Sequence, residues 1–199
     1  MKKFNNFFLS LAFLFIFTPL QAYSSDPKNF VTELVNDAIE KLSSKSLSIE
    51  EKAMYIEEIA LNNVDIKALG LYTLGELRKS SEKKDIENYQ IAFEKYFLKS
   101  LTSRLTDYSS SKFVVVEAEQ KSSNYTIVKS KIFPDNENPE IKIDWRIYTK
   151  NSDNPLIRDL IIEGLSLART QKEEFSSILS SNDNDINALF KSLEEFVKN

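Results

Sequence analysis

The sequence predicts an α+β domain in which an antiparallel four-stranded sheet packs against several helices. Three observations carry this. Residues 27–108 place apolar side chains at helical spacing, with cap residues at the starts of the runs. Residues 113–163 change to stretches rich in Val, Ile and aromatic residues separated by short polar turns, the pattern of a β-meander. From Leu165 the helical period returns. Helices, then sheet, then helices in chain order is the signature of the class.

The elements follow in order. Asp26-Pro27 reads as a helix start, with Asp as cap and Pro at the first helical position. Val31, Leu34, Val35, Ala38, Ile39 and Leu42 then form its apolar stripe. Ser43 to Ser48 is a loop, and Ser48 with Glu51 forms a capping box. The helix it opens turns Ala53, Ile56 and Ile59 inward and stops near Asn62-Asn63. Asp65 is expected to cap a third helix, Ile66 to Leu74, ended by Gly75; a ligand contact is the lesser alternative for this carboxylate. Ser80-Ser81 is expected to start a long helix with Ile86, Tyr89, Phe93, Tyr96, Phe97, Leu101, Leu105 and Tyr108 inward. So bulky an aromatic stripe either fills a core or walls a cavity.

The strands are expected at Phe113 to Ala118, Tyr125 to Phe133, Ile141 to Tyr148 and Leu156 to Glu163. The third is the clearest, because Ile141, Ile143, Trp145 and Ile147 alternate with Lys142, Asp144, Arg146 and Tyr148. Asn151 to Pro155 is turn chemistry. Leu165, Ala168, Lys172, Phe175 and Leu179 lie on one face of the helix that follows, and Ile186 to Val197 closes the chain as an amphipathic helix. One domain, residues 23–199, accounts for everything after a leader.

That leader is residues 1–22. Lys2 and Lys3 precede an apolar run from Phe7 to Leu20, and Gln21-Ala22 offers a small residue before Tyr23. The run is shorter than the ~20 apolar residues that span a bilayer, so it is expected to be a cleaved signal peptide that sends the domain to the periplasm. Composition removes several classes of chemistry. There is no Cys and no His, so thiol or His-based catalysis and the usual zinc sites are excluded. Three glycines in the whole chain, none in a phosphate-loop pattern, exclude nucleotide loops. The net charge of −4 becomes more negative when Lys2 and Lys3 leave, which argues against a nucleic-acid partner and against charge-driven docking on anionic lipid. No cofactor and no metal are expected.

Asp159-Leu160-Ile161-Ile162-Glu163-Gly164-Leu165-Ser166, after a strand carrying Asp144-Trp145-Arg146 and before Thr170-Gln171-Lys172-Glu173-Glu174-Phe175, resembles the MlaC family. Val64-Asp65-Ile66, Leu74-Gly75 and the aromatic helix with Phe93, Tyr96, Phe97 and Tyr108 come in the family's order. The likeness runs from about Pro27 to Phe196, with Lys172 standing where the family usually has Arg. What the resemblance implies is a phospholipid shuttle, also described as the toluene-tolerance auxiliary component of an ABC transporter. Its acyl chains would lie in a lipid-sized apolar cavity between sheet and helices. Its partners would be an inner-membrane ABC transporter complex and an outer-membrane lipoprotein complex, and its role the maintenance of outer-membrane lipid asymmetry. A carrier of hopanoid-like polycyclic lipid is the alternative cargo.

The side chains offered for lipid contact are Leu69, Leu74, Phe93, Phe97 and Leu101 from helices. From strands they are Val114, Val116, Ile141, Ile143, Trp145, Ile147, Leu160 and Ile162. Each of these taken singly also fits plain core. Asp159 and Glu163, spaced to share one strand face, would be the acid and base of an exported enzyme, the lesser reading. Their competing role is to pair with Arg146, Arg158 or Lys172, or to cap the helix expected at Leu165. Ser166 lacks the GxSxG setting of a nucleophile and is expected to start that helix.

Overall fold

A computed structural model of the protein describes residues 23–106, 112–133, 139–149 and 154–198. The leader expected at residues 1–22, and Tyr108, lie outside these. Helix α1 (Pro27–Ser43) begins as its sequence requires, with the Asp26 carboxylate accepting from the Asn29 amide at 2.9 Å and Pro27 in the first turn. Helix α2 (Ile49–Asn63) opens on the full capping box of Ser48 and Glu51. Helix α3 (Ile66–Thr73) is capped by Asp65, whose side chain accepts from Ala68 N, and Gly75 at φ +63° closes the turn beyond it. The long helix begins later than expected. Residues Leu77–Ser80 form a separate turn, α4, with Ser81 extended after it, and α5 (Lys83–Leu105) starts after Glu82.

The sheet contains β1 (Lys112–Ser122), β2 (Tyr125–Phe133), β3 (Ile141–Tyr148), β4 (Leu156–Ile162) and β5 (Leu165–Ser166), in that order with antiparallel neighbours. Two corrections to the expectation follow. The sheet has five strands, because after β4 the chain folds back through Glu163 and Gly164, at φ +48° and +85°, and pairs Leu165 with Ile162. Positive φ at both central residues is the two-residue hairpin geometry that matches strand twist. Leu165, read as the first residue of a helical face, is therefore a strand residue and 68% exposed. A strand of two residues is too short to show a period. Helices α6 (Leu167–Ser180) and α7 (Ile186–Lys198) complete the chain.

The second correction concerns β1. Phe113 and Val115 pack on the core, and Val114 and Val116, expected inward, are exposed, Val116 by 55%. Three consecutive valines carry no polar residue to set the phase of alternation, and a register shift between Val115 and Glu117 moves it again.

The interior is built as two apolar clusters. One lies between the sheet and α1, with Val128, Ile143, Trp145, Ile147 and Ile157 meeting Phe30, Val31, Leu34 and Val35. Ser130, like Thr126, is a polar side chain buried on the same face of β2; the Ser130 hydroxyl donates to Ile143 O at 3.1 Å and accepts from Trp145 Nε1 at 2.8 Å. The other cluster joins α3, α5, α6 and α7 through Ile66, Leu74, Tyr89, Phe93, Phe175, Leu179, Leu189 and Leu193. Gly70 permits the approach of α3 to α5, since a Cβ there would stand 2.9 Å from the Phe93 ring. Val64, between α2 and α3, packs against both clusters.

Strand β4 ties the two together. The buried Asp159 carboxylate lies 3.3 Å from Arg146 Nη1, accepts from Ser166 Oγ at 2.6 Å and accepts from Ala168 N at 2.9 Å. It thus binds β3, β4 and the first turn of α6 at one point, and its charge sits where the helix dipole favours an anion. Two residues earlier, Ile157 forms a parallel bridge with Val64 and its carbonyl accepts from Asp65 N. Next to it the Arg158 guanidinium donates to Asp65 at 2.9 Å and stacks 3.4 Å over Tyr148. Between α1 and α2, Tyr23 and Tyr55 both donate to Asp37 Oδ2, at 2.7 and 2.8 Å. Burial first, and then the hydrogen bond to this carboxylate, push both phenols well above the usual tyrosine range.

Two substitutions test this account by chemical denaturation. Ser130→Ala removes the partner of the buried Trp145 N–H and is expected to cost about 1–3 kcal/mol, against less than about 0.5 kcal/mol for Ser103→Ala on the exposed face of α5. Asp159→Ala leaves Arg146, Ser166 and the Ala168 amide unsatisfied together and is expected to cost about 3–5 kcal/mol. Equal stabilities would mean that these hydrogen bonds contribute nothing net.

Candidate functional site

An apolar ligand needs side chains that are hydrophobic yet not already filled in by protein. The expected lipid-contact residues divide sharply on that criterion. Leu74, Phe93, Ile143, Trp145 and Ile147 are buried within the two clusters, where close packing leaves little free surface. Leu69 and Phe97, on the fringe of the helical cluster, and Ile141, Leu160 and Ile162, on the fringe of the sheet cluster, are half-buried. Leu101 is half-buried as well, further along α5. These six retain accessible apolar surface. Val114 and Val116 point away from the core, as described above.

The sheet contributes its half-buried members by register. Leu160 stands opposite Trp145 and Ile162 opposite Ile143, so each shares the inner face with its partner. The irregularity between Arg146 and Ile147 lets Ile157 and Leu160 both serve that face although three positions separate them. Sequence reasoning missed Phe113 and Val115, which take the inward positions of β1, and Phe30 of α1, which is buried against the sheet. A strand tally centred on the aromatic in Lys112-Phe113-Val114 would have set the phase of β1 correctly.

The carboxylate pair does not exist as a pair. Glu163 lies in the turn after β4, exposed, and its carboxylate and amide both bond to the backbone of Lys142. Asp159 is buried and saturated by Arg146, Ser166 and Ala168. Acid–base work by a pair needs two carboxyl groups facing one another across a substrate; Asp159 and Glu163 are engaged with different partners and do not form such a pair. Ser166 caps α6 through Arg169 N and donates to Asp159, so its hydroxyl is a structural one. Asp65 has the capping role expected of it, together with the ion pair to Arg158. Lys172 pairs with neither carboxylate and sits 5.3 Å above the Tyr72 ring. Among the described residues, no cluster of acidic residues has the arrangement of a metal site, and no helix is long and apolar enough to cross a membrane.

A separate groove of about 670 Å³ runs between α3 and α5, lined by Ile66, Leu71, Ile86 and Ile91 with Lys67 and Glu94 among the polar side chains. Lys83 and Glu87, an exposed ion pair at 3.6 Å, also line it.

Comparison with known proteins places this architecture. A solved structure, the phospholipid-binding protein from Ralstonia solanacearum in complex with a phospholipid, superposes with a TM-score of 0.70 at 15% sequence identity. The match covers 84% of this chain and 94% of that one. The helical layer, the antiparallel sheet and their order are therefore those of an established fold. The family model described as MlaC protein matches residues 32–195, from the first turns of α1 to the last turn of α7. The chain belongs to the MlaC family.

Proposed function

We propose that this protein is a periplasmic carrier that encloses the acyl chains of a phospholipid between its sheet and its helices and passes the lipid between membrane-bound complexes. The observation that carries this is the match to the MlaC family over residues 32–195, on a fold shared with a protein that holds a phospholipid. The energetics explain why the interior must be divided as it is. Each methylene left in water costs about 0.8 kcal/mol, so two acyl chains of about thirty methylenes represent on the order of 20 kcal/mol. Only near-complete enclosure offsets that. A charge along the chains would cost several kcal/mol if unpaired, so the chains are expected to lie against apolar side chains such as Leu69, Phe97, Leu101, Ile141, Leu160 and Ile162.

In this reading the helical cluster and the sheet cluster are two walls, each packed within itself, and the lipid occupies the seam that their half-buried members face. The lipid is exchanged by docking on an inner-membrane ABC transporter complex and an outer-membrane lipoprotein complex, which together keep the outer membrane asymmetric. The protein breaks no bond and needs no cofactor; energy enters through the transporter. The separation of Asp159 from Glu163 speaks against the paired-carboxylate form of the enzyme alternative.

The test is native mass spectrometry of the protein prepared from periplasm without detergent, followed by extraction of the bound species. About one phospholipid per chain is expected. The double variant Leu160→Gln/Ile162→Gln, checked for native circular dichroism, is expected to lower uptake from phospholipid vesicles at least tenfold, and Leu101→Trp to lower it by occupying the space. A wild-type protein that is folded, free of lipid and unable to extract it from vesicles would overturn the carrier reading.

A further inference from the structure

The two walls are joined unequally. Along one side, β4 connects them through a strand bridge to Val64, the Arg158–Asp65 pair and the three partners of Asp159. Along the other, α1 belongs to the sheet cluster while α2 packs mainly on α5, and the two helices touch each other little. Ile59 of α2 reaches the sheet cluster there. Asp37 of α1 supplies polar contact by accepting from the Tyr55 phenol of α2. The same Oδ2 atom accepts from Tyr23, which stacks edge-on to Phe30 at 6.2 Å and lies on the sheet cluster. Only residues 44–48 separate the end of α1 from the start of α2 at Ile49, so the covalent link across this side is a short loop.

We propose that Asp37, with Tyr23 and Tyr55, is a latch that holds the helical wall against the sheet wall, and that its opening sets the rate at which cargo enters and leaves. The inference rests on the carrier reading for its cargo, but the latch itself is a statement about the joint between α1 and α2. Its geometry suits the task. A carboxylate accepting two phenols on one oxygen is a charge-assisted site, stronger than a neutral hydrogen bond. It is also local: the packing of α1 on the sheet is made by Phe30, Val31, Leu34 and Val35, and the bond from Tyr55 to Asp37 is separate from it. The β4 side, with its bonds to α3 and α6, then serves as the fixed edge about which the walls separate. Asp37 is a positioning residue in this scheme and touches no lipid.

The test uses the full mature chain, which has no cysteine of its own and therefore takes spin labels only where they are placed. Labels at Asn36→Cys on α1 and Ser103→Cys on α5, both exposed, report the separation of the walls by pulsed electron resonance. In the otherwise wild-type background a single narrow distance distribution is expected. Adding Tyr55→Phe, which deletes only the hydroxyl, is expected to bring in a second, longer population, and Asp37→Asn a larger one. In parallel, transfer of a fluorescent phosphatidylglycerol between vesicles is expected to speed up about ten- to hundredfold in Tyr55→Phe with the bound amount unchanged, the range that loss of one hydrogen bond to a charged group allows. Tyr72→Phe, on an exposed ring outside the joint, is the control and should match wild type. Longer distances without lipid uptake would keep the latch and remove the carrier reading. Lipid uptake with unchanged distances and unchanged transfer rate would overturn the latch and leave the carrier.

Discussion

The Asp159 carboxylate is the interaction on which the rest of the structure depends. It is buried, and a buried carboxylate is tolerated only where its oxygens are fully engaged. Here the engagement comes from a cation on the neighbouring strand, a hydroxyl at the start of α6 and an amide within that helix. The partners lie on β3, at the junction of β5 with α6, and in the first turn of α6, so the direction of the chain as it leaves the sheet is set by one side chain. Helix α6 must then run back across the helical layer, where Phe175 and Leu179 join the cluster of α3, α5 and α7. The hairpin through Glu163 and Gly164 gives the carboxylate room, because it places Ser166 opposite Ile161 and within reach of Asp159.

From that point the two layers acquire separate interiors. A domain that filled its space with one continuous core would have nowhere to receive a ligand, and close packing is the default for apolar side chains. Two clusters, each satisfied within itself, avoid this outcome. The aromatic stripe of α5 shows how. Tyr89 and Phe93 are buried, with the Tyr89 hydroxyl 2.9 Å from Thr73, while Phe97 on the same helix is only half-buried at the edge of the cluster. One helix thus supplies core at its centre and free apolar surface further on. The protein belongs to a family whose members are described as MlaC, and this division of labour is what the carrier reading requires of it.

The sequence showed the architecture well where periodicity was strict. Ile143, Trp145 and Ile147 are buried as their alternation demands, and the caps at Asp26, Ser48 and Asp65 hold as written. It misled where the local pattern was degenerate. The run Val114-Val115-Val116 has no polar member to fix its phase, and Leu165 followed by Ala168 mimics the start of a helical face. The placement of Asp159 was half legible: the pairing with Arg146 and the helix-capping role were among its expected roles, but the partnership with Glu163 was not real, since strand spacing does not survive a two-residue turn. Asp37 could not be found at all. Its partners lie fourteen and eighteen positions away, on a segment before its helix and on the next helix, and nothing in the order of residues marks them.

The brevity of β5 has a consequence beyond the geometry of α6. The last strand of an open sheet presents unpaired amides and carbonyls, a template on which another chain can build. Ending this sheet with two residues before turning into a helix leaves almost no template. The opposite margin, β1, is eleven residues long, but it is broken by register shifts after Val115 and after Gln120 and carries Glu117 and Glu119 paired with Lys129. Both margins are therefore blunted by different means, one by length and one by irregularity and charge. Were its layers to part to exchange an apolar cargo, as the carrier reading has it, blunted margins would keep each opening from adding strands of its neighbours.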